Sequence, residues 1–270
     1  MLDMSYMFSS CYSLNNTNFS NFSTKNVIKM NDMFSGCHSL ASLDLSNFNT
    51  GNAEYMNRMF LADNSLNILN ISSFLTNKVK DMSQMFEECI SLKSLDVSNF
   101  NTQNVNNIND MFYNCSSLTS IDVSNFDTKK VKNMDYIFGY CSSLYSIDIK
   151  KFNTENLLTM HHMFFNCGSL TSIDLNGFDT KNVKDISNLF NGCSSLKSIN
   201  ISNFDTNSVE KMTGMFYDCS SLEYLDISSF NCSFNKNISL FKNMKDTGEI
   251  KVSKDFQNLI NIPNGWNITN

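Results

Sequence analysis

The sequence predicts an α/β solenoid with parallel strands on a concave face and short helices on a convex face, and three observations predict it. An apolar residue followed by Phe recurs every 26 residues, from Met7-Phe8 through Met33-Phe34 and Met59-Phe60 to Met215-Phe216. Leu keeps the same step from Leu14 to Leu222, and a second Phe keeps it from Phe22 to Phe230, without insertion or deletion. Within each unit the apolar residues switch from period two to spacings of three and four. Nine units in one register mark a stacked repeat array, in which each unit buries its apolar side against its neighbours.

The first half of a unit is read as a strand. In Leu118-Thr-Ser-Ile121-Asp-Val123-Ser-Asn-Phe126 the apolar positions follow L-x-x-L-x-L, the strand portion of a leucine-rich repeat. Ser120, Asp122 and Ser124 alternate with Ile121 and Val123, as a half-buried strand requires. The strand is placed near residues 120–124 and at the equivalent positions of the other units.

The second half is read as a helix. In Val131-Lys-Asn-Met134-Asp-Tyr-Ile137-Phe138-Gly-Tyr-Cys141 the apolar residues fall three and four apart, on one face of about two helical turns. Thr128, in a column running from Thr24 to Thr206 with Cys232 in the next place, is the expected N-cap. So short a helix is stable only when stacked.

Residues 1–240 are assigned to the solenoid, nine 26-residue units counted from Met7, and 241–270 to a C-terminal cap. Glu249 to Ser253 reads as one more strand, and Phe256 to Trp266 carries the only Pro and the only Trp. Met1, Met4 and Met7-Phe8 match the second half of a unit, and the first strand, Asn15 to Ser20, is degenerate. The expectation is that upstream residues are missing or that this edge is exposed, which favours end-to-end self-association.

Composition excludes several partners. A net charge of −6 argues against nucleic acid, whose phosphates require a basic stripe, and against docking to anionic lipid. No apolar run is long enough for a membrane-spanning helix. Met1 to Ser13 has neither the basic start nor the apolar run of a signal peptide. With 9 Gly and 1 Pro, turns must rely on Asn, Asp and Ser.

The string Ser117-Leu-Thr-Ser-Ile-Asp-Val-Ser-Asn-Phe-Asp-Thr-Lys-Lys-Val-Lys-Asn-Met134, followed by an apolar-Phe pair and Cys141, resembles the 26-residue repeat of bacterial surface lipoproteins of Mycoplasma, Listeria and Brachyspira. That repeat is related to the BspA-like leucine-rich-repeat surface proteins, and the resemblance runs through residues 1–240. It implies a cell-surface or secreted protein acting in adhesion or host-molecule binding, without catalytic activity and without a shared ligand motif. The chain departs from that pattern in showing no signal sequence, lipidated N-terminal Cys or wall-anchoring tail.

Four groups of residues are candidates for chemistry. Cys11, 37, 89, 115, 141, 167, 193 and 219 share one column, with Asp63 in the missing place. A disulfide ladder is allowed by a coil spacing of about 5 Å but not by parallel side chains. The CxxC and Cys/His spacings of metal sites are absent. Buried free thiols are the favoured reading.

A second column, Asp44, Asp96, Asp122, Asp148, Asp174 and Asp226, sits mid-strand and is expected on the concave face. It is either a polar trough for a cation or a basic segment, or a structural ladder satisfied by Ser hydroxyls and backbone groups. The high cost of unsatisfied charge favours the second. Ile68, Tyr145, Lys150 and Tyr224 break the small-polar consensus on or beside the strands, either as interface anchors do or by ordinary drift at tolerant surface positions, which is the favoured reading for any single one. The His residues, His38, His161 and His162, have no metal-site spacing, and no catalytic motif is present.

The function expected is non-enzymatic recognition of a protein or glycan through the concave face, with no cofactor, no metal, and Asp96, Asp122, Asp148, Asp174, Tyr145, Lys150 and Tyr224 as binding residues. The alternative is a structural spacer or self-associating surface element.

Overall fold

Each 26-residue unit closes one coil, and the coils stack in parallel register. The computed structural model describes residues 2–15, 18–231 and 238–269; Met1, Asn16, Thr17 and Cys232, which belong to the patterns above, lie outside them. Strand β1 (Ser42–Asp44) pairs with β2 (Ile68–Asn70), placing Ser42 opposite Ile68. Further along, β3 (Ser172–Asp174), β4 (Ser198–Asn200), β6 (Tyr224–Ile227), β8 (Gly248–Val252) and β9 (Trp266–Thr269) form one parallel sheet in that order. The sequence alternation is reproduced: Ser42 and Asp44 point outward, while Leu43 is buried.

The second half of the unit is not helical, which corrects the expectation for the convex side. Its residues form consecutive turns whose peptide groups are shared between two kinds of partner. Within the coil, Ile137, Gly139 and Cys141 donate N–H bonds to the carbonyls three residues back. Met134, Tyr136, Phe138 and Tyr140 instead donate to Thr159, His161, Met163 and Phe165 of the next coil, at 3.0, 3.1, 3.1 and 2.6 Å.

Two left-handed residues per coil make this possible. One column runs Tyr6, Asp32, Arg58, Gln84, Asp110, Tyr136, His162, Asn188 and Gly214; the other runs Ser10, Gly36, Ala62, Glu88, Asn114, Tyr140, Asn166, Gly192 and Asp218. Two positive φ values four residues apart in each coil keep the segment from forming a continuous helix, yet leave every third or fourth side chain pointing inward. The i, i+3, i+4 spacing was therefore a true record of burial and a false one of backbone. Among the described residues the one α-helix is α1 (Lys254–Gln257), N-capped by Ser253.

Three side-chain ladders hold the coils together. Phe8, 34, 60, 86, 112, 138, 164, 190, 216 and 241 stack with ring centroids 5.3 to 5.9 Å apart and planes within 14°. This offset stacking adds to the burial of each ring.

The Thr column is a ladder of its own and not a set of helix caps. Thr102 Oγ1 donates to the Asp127 carbonyl at 3.0 Å and accepts the Asp127 N–H at 2.7 Å, so one hydroxyl imitates a peptide partner for the next coil. Thr24, Thr50, Thr76, Thr154 and Thr180 repeat this pair of bonds. The cysteines form the third ladder. They are free thiols, and Cys89, Cys115, Cys141, Cys167, Cys193 and Cys219 each donate Sγ–H to a Phe carbonyl of the preceding coil at 3.0 to 3.1 Å.

The two sides of the stack are not equally tight. Residues 94–96, 120–122 and 146–148 follow the strand positions but form no regular pairs, and bonds there lengthen to 3.4 Å for Thr119 N to Lys93 O. The short bonds of the turn side fix the coil spacing through the middle of the array.

After Leu240 the repeat pattern fades but the stacking continues with a shorter step. Strand β5 (Phe216–Tyr217) pairs with β7 (Phe241–Lys242), and Tyr224 lies opposite Glu249, so one coil has lost a residue. The Trp266 ring meets Phe241 at 6.3 Å and its Nε1 donates to the Lys245 carbonyl, covering the end of the Phe ladder.

Candidate binding face

The outward residues of the strand side form two parallel rows, and the backbone explains what fills them. The Asp column does not sit mid-strand as expected: Asp44 and Asp174 end β1 and β3, and each Asp of the column is followed by a bend, which an Asp side chain can build by accepting the N–H two residues on. Asp44, Asp96 and Asp122 do this with Ser46, Ser98 and Ser124 at 2.9 Å, Asp148 with Lys150 at 3.1 Å, and Asp174 and Asp226 with Asn176 and Ser228 at 3.0 Å.

In Asp96 and Asp226 the serine hydroxyl adds a second bond at 2.6 Å. Hydrogen bonds from Ser46, Ser98 and Ser124 hold Asp44, Asp96 and Asp122 below the usual carboxylate range. One oxygen of each carboxylate is thus committed to the bend, and the side chains remain solvent-facing, Asp226 only partly so.

Two of these carboxylates also have a cation of this chain. Lys150 Nζ lies 3.6 Å from Asp174 on the next coil, and Lys251 Nζ lies 3.2 Å from Asp226. Lys150 therefore acts across a coil boundary and is not an isolated charge.

The consensus-breaking apolar residues are well exposed: Ile68 64%, Tyr145 61% and Tyr224 42%. They are not brought together. Ile68 and Tyr224 occupy the same row six coils apart, roughly 29 Å at the spacing of paired strands. Tyr145 lies in the adjoining row, midway between them, in the same coil as Lys150. The strand face thus presents a polar ground with separated aromatic points on it.

The Cys column offers no nucleophile on this face. Burial pushes Cys37, Cys141 and Cys193 up to about 12, and Cys89, Cys115, Cys167 and Cys219 well above their usual range, so these thiols stay protonated. The Cys37-His38 pair is split between inside and outside. Cys37 is buried, while His38 faces outward, stacked on Tyr12 at 5.2 Å with Nδ1 2.9 Å from the Ala62 carbonyl. Among the described residues no cluster of three His, Cys, Asp or Glu could hold a metal. No described helix is long and apolar enough to cross a membrane.

The chain has no match among curated proteins. Among solved structures it is similar to a leucine-rich-repeat protein of T. pallidum, at 18% identity over 73% of this chain and 72% of that one, with a TM-score of 0.40. It is also similar to a leucine-rich cell surface protein of Faecalibacterium prausnitzii, at 15% identity over 86% and 79%, with a TM-score of 0.37. A leucine-rich-repeat protein of Bacteroides ovatus matches at 14% identity over 91% and 88%, with a TM-score of 0.26.

A family model described as Mycoplasma protein of unknown function, DUF285, matches residues 1–93, 62–173 and 159–266. The three matches together run almost from end to end of the chain, which belongs to the DUF285 family.

Proposed function

We propose that this chain is a non-enzymatic recognition module of a bacterial cell surface, binding a protein or glycan through its strand face. The observation that carries the reading is the contrast between the largely Ser and Asp columns and the exposed Tyr145, Lys150 and Tyr224 that stand in or beside them. The short turn-side bonds and the Phe and Thr ladders fix the coils that carry these side chains, so a partner would meet positions already ordered. Preorganised contacts lose little free energy to ordering on binding. Asp96, Asp122, Asp148 and Asp174 supply acceptors through the carboxylate oxygen that the bend does not use. The surface location rests on the family resemblance.

The test is a binding screen of the purified chain against extracellular-matrix proteins and a glycan array. A Tyr145→Ser/Lys150→Ser/Tyr224→Ser variant serves as the control. Saturable binding that falls at least tenfold in the variant supports the reading. Binding that survives in full, or no binding to either panel by the folded chain, counts against it.

A further inference from the structure

On the turn side, away from the strand face, six rings that are scattered in the sequence meet on three consecutive coils. Tyr113 contacts Tyr136 and Tyr140 edge-on, with centroids 5.5 and 5.4 Å apart and planes at 82° and 75°. Tyr136 stacks on His162 at 4.4 Å and meets His161 edge-on at 4.9 Å. Phe165 closes the group against Tyr140 at 5.1 Å and His162 at 4.9 Å.

None of these rings is needed by the repeat. Where Tyr136 stands, the preceding coil has Asp110 and the second coil onward has Asn188, with His162 between them; where Tyr140 stands, the coils on either side have Asn114 and Asn166; where Phe165 stands, the next coil has Asn191. Tyr136 and Tyr140 both occupy left-handed positions, at φ of 54° and 59°, where a bulky side chain is disfavoured. Gly139 lies beneath them, and a Cβ there would come within 3.1 and 3.2 Å of the Tyr136 and Tyr113 rings. The chain thus holds an aromatic group in unfavourable backbone at a place where Asn or Gly would serve the fold.

The charge around the rings has one sign in excess. Asp135 is engaged by His161 Nδ1 at 2.8 Å and Asp185 by Lys211 at 3.4 Å. The nearby Arg58 is committed to Asp32 at 3.2 Å. Glu87, Glu88 and Asp110 have no ion pair among the described residues. Burial, helped by the Asp110 and Glu88 charges, pushes Glu87 up to about 7, and burial raises Asp110 as well. Burial also drives His162 down to about 4, so it is a neutral ring near pH 7.

Rings set nearly at right angles, with carboxylates at the rim and no unpaired cation among the described residues that border them, are complementary to an organic cation. Arginine fits best, because its planar guanidinium can lie on a ring face and pair with a carboxylate together. The geometry points to a second interaction surface, formed by Tyr113, Tyr136, Tyr140, His162 and Phe165, that receives an arginine side chain from a basic segment of a partner polypeptide. This surface is independent of the strand-face reading.

The probe is a fluorescein-labelled hexa-arginine peptide, followed by anisotropy on the full chain at low and at physiological salt. Binding should be saturable and should weaken as salt rises. A Tyr136→Asn/Tyr140→Asn variant, which keeps the net charge and uses residues already present at these columns, should bind at least tenfold more weakly with its circular dichroism unchanged. Phe165→Asn provides a second variant should the first fail to fold.

Full binding by both folded variants would mean general attraction to an acidic protein and would overturn the proposal. No binding by the parent chain would overturn it too. Saturable binding of an uncharged glycan, lost in the same variants, would replace the cation by a sugar and equally overturn it. Loss in Tyr145→Ser, on the strand face, would show that the peptide is read elsewhere.

Discussion

Replacing Ala62 with glycine should stabilise the protein, although the same change in a helix does the opposite. Ala62 sits at φ of 59°, in the second left-handed column of the turn side. A Cβ in that conformation costs about 1–2 kcal/mol. Glycine removes that strain but loses about 0.5–1 kcal/mol of extra backbone entropy on folding. The half-buried methyl gives up a few tenths more, at about 25 cal/mol per Å². The net effect is a gain of about 0.5 kcal/mol, which raises the melting midpoint by roughly 1–2 °C in a chain of this size.

The backbone bonds at this site do not involve the side chain, since Ala62 N–H donates to Glu87 O at 2.8 Å. The assay is urea and thermal unfolding of the parent, Ala62→Gly, and Ala41→Gly as a control. Ala41 is exposed, precedes β1 and is not among the positive-φ residues, so glycine there should destabilise by about 0.5–1 kcal/mol. One chemical change should thus give opposite signs at two positions. A loss of about 1 kcal/mol at Ala62, the helical expectation, would refute the left-handed assignment and with it the account of the turn side.

Three further outcomes are expected. Thr102→Val removes both bonds to the Asp127 peptide group and should cost about 1–3 kcal/mol in urea unfolding, while Thr102→Ser should retain most of the stability. Asp63, fully buried in the Cys column, accepts the Cys37 N–H at 2.7 Å through one oxygen, while the other has no partner; burial pushes it up to about 8. Its folded value lies above the unfolded one, so its contribution to stability is full below about pH 4 and is lost as pH rises toward 8, by on the order of a few kcal/mol. Asp63→Asn should flatten that slope in unfolding curves taken from pH 4 to 8. Cys89, Cys115, Cys141, Cys167, Cys193 and Cys219 should react with a thiol reagent such as DTNB only on unfolding, whereas Cys11, part-exposed, reacts in the native protein.

The core columns were legible because burial leaves a periodic mark: Phe34, Leu40, Phe48 and their equivalents every 26 residues could be read without knowing any backbone angle. The strands were legible for the same reason, Leu43 and Leu45 alternating with Ser42 and Asp44. The turns were not, because Met134, Ile137, Phe138 and Cys141 point inward whether the backbone between them is helical or broken by Tyr136 and Tyr140. The signal that separates the two was present in the column Gly36, Asn114, Asn166, Gly192 and Asp218, residues that tolerate a left-handed backbone. Tyr, Glu and Ala at the same column hid it.

The strand-face candidates were chosen one at a time as breaks in a consensus, and the fold leaves them apart. Tyr113, Tyr136, Tyr140 and Phe165 carry no mark of grouping along the chain, and His162 reads there only as a rejected metal ligand, because their proximity exists only between coils. Aligning the units column by column and asking where aromatics replace Asn would have found them.

The Phe, Thr and Cys ladders present nearly the same surface at successive coil boundaries through the array, so one seam differs little from another. Excising any internal run of 26 residues would bring together two cut faces that already match, and inserting one would do the same. Array length is therefore close to a free variable of the fold, adjustable in steps of about 5 Å without redesign of the core. The turn-side cluster is the exception, since it depends on three particular coils being adjacent. Cuts between Tyr113 and Phe165 would leave a folded solenoid and dismantle that surface alone.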